Sequence, residues 1–149
     1  MVKSNKEVIS LKIKAYVAIL CSHLAVLTAL CTPIIRVSEV KMAAVGQTET
    51  DSYYLNIFDF ARVNLNSFST FLMLFLTVVH LFGVANAVYG LAKKNYSHIS
   101  INLTFINALA SAFMGALLLY STSYALFVIC AATFILMSFC SIQLIKSEE

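Results

Sequence analysis

Residues 75–90 read FLTVVHLFGVANAVYG, and they sit inside an apolar run long enough to cross a bilayer. His80 and Asn86 lie within that run, where no water is at hand to solvate an imidazole or an amide. On a helical wheel with His80 at zero, Gly83, Asn86, Ala87 and Gly90 fall within about 120° of it on one side. Val78, Leu81, Phe82, Ala85, Val88 and Tyr89 take the remaining face. Small and polar side chains are thus separated from bulky ones. In lipid that separation marks a helix–helix contact, because apolar side chains gain nothing by leaving acyl chains, whereas small residues let two backbones approach. The segment predicts a membrane helix whose polar face meets protein.

Composition extends this to the whole chain. Of its 149 residues, 60% are hydrophobic and only 11% charged. A soluble domain carries about 25% charged residues to face water. Four runs reach spanning length, at 13–35, 67–91, 98–120 and 123–146. The expected fold is therefore an all-α integral membrane protein, a compact four-transmembrane-helix bundle forming one domain over 1–149. A larger extracytoplasmic loop, 36–66, joins helices one and two.

Orientation follows the basic residues that flank the spans. Lys3, Lys6, Lys12, Lys14, Lys93, Lys94 and Lys146 fall on one side, and Arg36, Lys41 and Arg62 on the other. Both termini are expected in the cytoplasm, in a plasma or bacterial inner membrane. The positive charge is then a topology signal, and no nucleic-acid partner is expected. Cys21, Cys31, Cys130 and Cys140 all lie in the predicted spans without a C-x-x-C pattern. No metal or cofactor is expected from them.

The other helices repeat the small-residue device. In the third, Thr104, Asn107, Ala108, Ser111, Ala112 and Gly115 share an arc, and Ala108, Ala112 and Ala116 form a small-xxx-small ladder. In the fourth, Cys130, Thr133, Met137 and Ser141 form a stripe, and in the first, Cys21, Ala25, Thr28 and Thr32 do so. Counted inward from the cytoplasmic ends, His23, His80 and Asn107 stand at one depth, and with Asn86 they make an intramembrane polar layer. His23 lies on a different face from Cys21 and Ala25, so it is not required to reach the others.

In the loop, RVSEVKM alternates like a strand and GQTETDS reads as a turn. YYLNIFDFARVNL then has two readings. As a strand it closes a hairpin; as a helix it puts Tyr54, Ile57, Phe58, Ala61 and Leu65 on one apolar, interfacial face. Tyr53, Tyr54, Ile57, Phe58 and Phe60 are the candidate partner-binding residues, because an aromatic patch beyond the membrane marks an interaction surface.

Four helices with a larger first external loop have the outline of claudin-like proteins, but the chain has no Trp and no loop cysteine to supply that family's loop signature. Tetraspanins differ in placing a long cysteine-bearing loop between the last two helices. RVNLNSFS, 62–69, resembles a helix opening in the membrane glutathione-transferase and leukotriene-synthase family. Arg62 and Asn66 match, and Ser69 stands where that family has an acid. The resemblance implies an anion site at Arg62 and Asn66 and a lipophilic substrate between helices. The family's later arginine and tyrosine cluster has no counterpart here, and its orientation opposes the charge bias.

No complete catalytic constellation appears, and the interiors of the spans carry no Asp, Glu, Lys or Arg. The expected function is a non-catalytic multi-pass subunit, assembly or accessory protein of a membrane complex. Its partners would be the bilayer and other membrane subunits or further copies of itself. The alternatives are the glutathione-transferase-type enzyme and a small channel or transporter component lined by His80, Asn86 and Asn107.

Overall fold

The computed structural model describes residues 5–43, 47–63, 66–93, 98–119 and 124–146. It is mostly helical. In chain order the elements are α1 (Asn5–Cys31), β1 (Ile35–Ala43), β2 (Gln47–Leu55), α2 (Ile57–Val63), α3 (Phe68–Lys93), α4 (His98–Leu119) and α5 (Tyr124–Lys146). Within Val8–Cys31, Phe68–Lys93 and Tyr124–Lys146 the helices are long and apolar enough to cross a membrane. In α4 the apolar run is Ile101–Leu117. α1 packs on α3 and α5, and α4 packs on the same two helices.

The first helix differs from the expected 13–35 at both ends. Neither Gly nor Pro interrupts residues 5–31, so the helix extends back into the polar head. It stops at Cys31 because Pro33 disfavours the helical conformation at Thr32. The Thr32 hydroxyl and backbone N–H both bond the Ala29 carbonyl, which closes the last turn. Ile35 begins a strand instead of ending a helix.

β1 and β2 pair antiparallel, residue for residue from Ile35–Leu55 to Ala43–Gln47. GQTETDS is therefore not the turn: Gln47–Ser52 belong to β2, and the connection at 44–46 lies outside the described residues. Asn56 divides the segment that had two readings, giving strand before it and helix after it. Its side-chain oxygen accepts from the Asp59 N–H at 2.9 Å and its amide donates to Asp59 Oδ2 at 2.8 Å, an N-cap for α2. Ser67 caps α3 likewise, accepting from the Thr70 N–H at 3.1 Å.

Two apolar clusters fill the interior. At the hairpin end Val26, Leu30, Ile35, Leu72, Met73, Leu76 and Leu126 meet Ile57 and Phe60, so α2 and the base of the hairpin close that end. At the opposite end Ala15, Tyr16 and Ile19 pack with Ala87, Ile101, Cys140 and Leu144. The outward surface is dominated by large apolar side chains, among them Phe71, Phe82, Phe113 and Phe139. That is the exposure expected of helices solvated by lipid.

Candidate functional site

Between the two clusters lies a group of buried polar side chains. α1 carries Tyr16, His23 and Leu30 at seven-residue spacing, and all three are buried. α3 carries Gly83 and Gly90, also seven apart and buried. The chains run antiparallel, so two rings meet two glycines. A Cβ built at Gly83 would overlap the His23 ring, and one at Gly90 would lie 2.7 Å from Tyr16 Cε1. Each glycine is thus a notch that admits a ring from α1.

In that position His23 Nδ1 lies 2.8 Å from His80 Nδ1, with the rings edge to face and their centroids 5.0 Å apart. His80 Nε2 lies 2.9 Å from Ser111 Oγ on α4, and Ser111 Oγ donates to the Asn107 carbonyl at 2.9 Å. One hydrogen-bonded chain therefore ties α1, α3 and α4. Nearly two turns further along α3, Asn86 Nδ2 lies 3.4 Å from Thr104 Oγ1, a long contact at the edge of hydrogen-bond range. The Nδ1–Nδ1 separation is that of a direct hydrogen bond. Two imidazole nitrogens on one tetrahedral metal ion stand about 3.3–3.4 Å apart, given metal–nitrogen distances of about 2.0–2.1 Å. Among the described residues no group of three or more His, Cys, Asp or Glu clusters elsewhere.

His23 thus faces His80, although the sequence did not require it to. The expected small face of α1 points the other way: Cys21, Ala25, Thr28 and Thr32 are all exposed. They lie roughly 140–200° around the helix from His23, so when the ring-bearing face enters the interior they must leave it. Of the expected packing residues, Gly83, Ala87, Gly90, Ala108 and Gly115 are buried, and Ala112 is half-buried. Ala116 is exposed. A four-residue step advances about 40° beyond a full turn, so a ladder of fours drifts off the inward face and Gly115 takes the place assigned to Ala116. A Cβ at Gly115 would lie 2.7 Å from Cys130 Cβ, the close contact of α4 with α5.

Ser111 and Thr104, within the small-residue arc of α4, supply hydroxyls to the polar layer. Ser111 follows Asn107 by one helical turn on the same face, which is the signal that could have paired it with His80.

At the hairpin end the candidate partner-binding residues divide. Ile57 and Phe60 are buried in the apolar cluster and Tyr53 is half-buried, so these cannot all meet a partner. Tyr54 and Phe58 are 59% and 71% exposed. The expected helical face fails at Tyr54 because that residue is in β2; Leu65 lies outside the described residues. Arg62 and Asn66 are both exposed. No family model, curated protein or solved structure matches the chain.

Proposed function

We propose that the chain is a non-catalytic multi-pass membrane protein, an assembly or accessory subunit that meets another membrane protein through its hairpin end. In this reading α4 is a fourth crossing. Its 22 residues span about 33 Å, close to the hydrocarbon thickness, and both helices it packs against have spanning length. The short connections at 94–97 and 120–123 favour antiparallel neighbours. With Lys12, Lys14, Lys93 and Lys146 at one end, that end is cytoplasmic, and the hairpin with α2 lies outside.

The observation that carries the role is how the side chains are spent. His80 bonds both His23 and Ser111, and Gly83, Gly90 and Gly115 are filled by neighbouring side chains of the same chain. Tyr54 and Phe58, by contrast, are left outward beside a polar hairpin. Aromatic residues exposed at such a place are the usual anchors of protein contacts.

The test is site-specific photo-crosslinking in native membranes, with the reactive group placed at Phe58 or at buried Ile57. A discrete adduct at position 58, absent at position 57, is the expected result. Crosslinking of position 58 to lipid alone, with protein that purifies as a lone monomer in mild detergent, would overturn the proposal.

A further inference from the structure

We infer that the polar layer is a binding site for one neutral hydroxylic molecule, water, held between His23 of α1 and Asn107 of α4. The argument begins with the direction of the hydrogen bonds. A serine hydroxyl has one proton, and that of Ser111 goes to the Asn107 carbonyl. Towards His80 the same oxygen can only accept, so His80 Nε2 carries the hydrogen. With both rings neutral, His80 Nδ1 is then bare and accepts from His23 Nδ1–H. The remaining nitrogen, His23 Nε2, is a bare lone pair. It is buried without a protein partner on a residue that has no exposed surface.

A second orphan has the opposite character. Asn107 Nδ2 is a donor, also buried and without a protein partner. The two stand at one level. His80 meets Ser111 and Asn86 meets Thr104, which fixes the antiparallel register of α3 and α4 and sets Asn107 opposite Gly83. Gly83 is the residue on which the His23 ring rests. A lone acceptor on α1 and a lone donor on α4 thus stand at the same level of the interior, and Ser138 Oγ on α5 is a third buried polar atom without a protein partner.

What the site takes follows from its groups. The occupant must donate to His23 Nε2 and accept from Asn107 Nδ2, which excludes species that only donate or only accept. It must be neutral, because no Asp, Glu, Lys or Arg is buried among the described residues to balance an ion there. Bridging water meets both demands and satisfies two groups that are costly to leave unpaired in a dry interior.

The test is magic-angle-spinning NMR of the full chain in bilayers with 15N-labelled histidine, using His98→Gln to remove the third histidine's signals. We expect His23 protonated at Nδ1 and bare at Nε2, and His80 the reverse, with polarisation passing from water protons to the His23 ring. Asn107→Leu should reduce that transfer severalfold while the His80 Nε2–H signal persists, which also reports that the helices still pack. Asn107→Ala serves the same purpose if leucine prevents folding, and exposed Ala116→Leu should change nothing. A proton on His23 Nε2, or water transfer that is absent or indifferent to loss of the Asn107 amide, would overturn the inference.

Discussion

The helical body and the hairpin use similar polar side chains for different ends. In the body, His23, His80 and Ser111 are buried, and the His23–His80 and His80–Ser111 contacts join residues on different helices. On the hairpin, Arg36 Nη2 donates to Ser52 Oγ at 3.1 Å and Tyr53 OH to Glu39 Oε1 at 3.1 Å, all across exposed surface. Bulk water competes for the second set and does not reach the first. Close packing separates the regions further: rings enter glycine notches in the body, whereas among the described residues the hairpin packs on the helical core through Ile35, Val37 and Leu55 at its base. Where water is absent, shape fixes which helices meet and hydrogen bonds fix their register; where water is present, backbone pairing sets the register and side chains add little.

The largest expected effect comes from filling a notch. Gly83→Leu sets a branched side chain into the volume of the His23 ring, and the rigid ring has no flexible end to move aside. A loss near the upper end of overpacking costs, about 3 kcal/mol, is expected in unfolding from mixed micelles. Exposed Ala85→Leu on the same helix should lose nothing. Adding His23→Ala to Gly83→Leu should restore part of the stability; if it does not, the ring-on-glycine account of the α1–α3 contact is wrong. Ala108→Leu, at a fully buried position on α4, should cost about 1–3 kcal/mol. Ala116→Leu should stay within about 0.5 kcal/mol, because that residue faces outward.

Those two glycine contacts also explain what a single helix does and does not disclose. On α3 small and polar residues share one side, so the direction of His80 and Gly83 can be read from the helix alone. On α1 the same rule points the wrong way. The stripe Cys21, Ala25, Thr28 and Thr32 faces out, while Ala15, Ser22 and Ala29 go in beside Tyr16 and His23, where α3 supplies the space. α1 carries small residues on both faces, so its own pattern does not choose between them, and the notches on α3 do. The hairpin fails for a related reason. Gln47–Ser52 have a turn-like composition, and it is cross-strand pairing with Ser38–Met42 and Ala43 that extends them. Asn56, an N-cap residue followed three positions later by Asp59, is the signal that could have divided strand from helix there.

The polar chain offers a middle-sized test. His80→Ala removes the contacts to His23 and to Ser111 together. Interhelical hydrogen bonds in membranes average about 0.6 kcal/mol each, so a loss of about 1 kcal/mol is expected, with exposed Val78→Ala as the neutral control. A double-mutant cycle with Ser111→Ala should show coupling between the two positions, since they share one bond. Additive losses would mean that the chain does not bind α3 to α4.

The smallest effect belongs to the hairpin. Tyr53→Phe deletes the hydroxyl that reaches Glu39 and leaves the ring and the backbone pairing with Val37 in place. Both oxygens are returned to water on unfolding and are already near it when folded, so the exchange is nearly balanced. A change of at most about 0.5 kcal/mol in hairpin opening is expected, read by amide exchange of the β1–β2 ladder. Crosslinking from position 58 should be unaltered by this substitution, because Phe58 lies in α2 beyond the Asn56 cap. A large loss of amide protection on removing this one hydroxyl would show that side chains, and not the backbone ladder, hold the hairpin together, and the contrast between the two regions would fail.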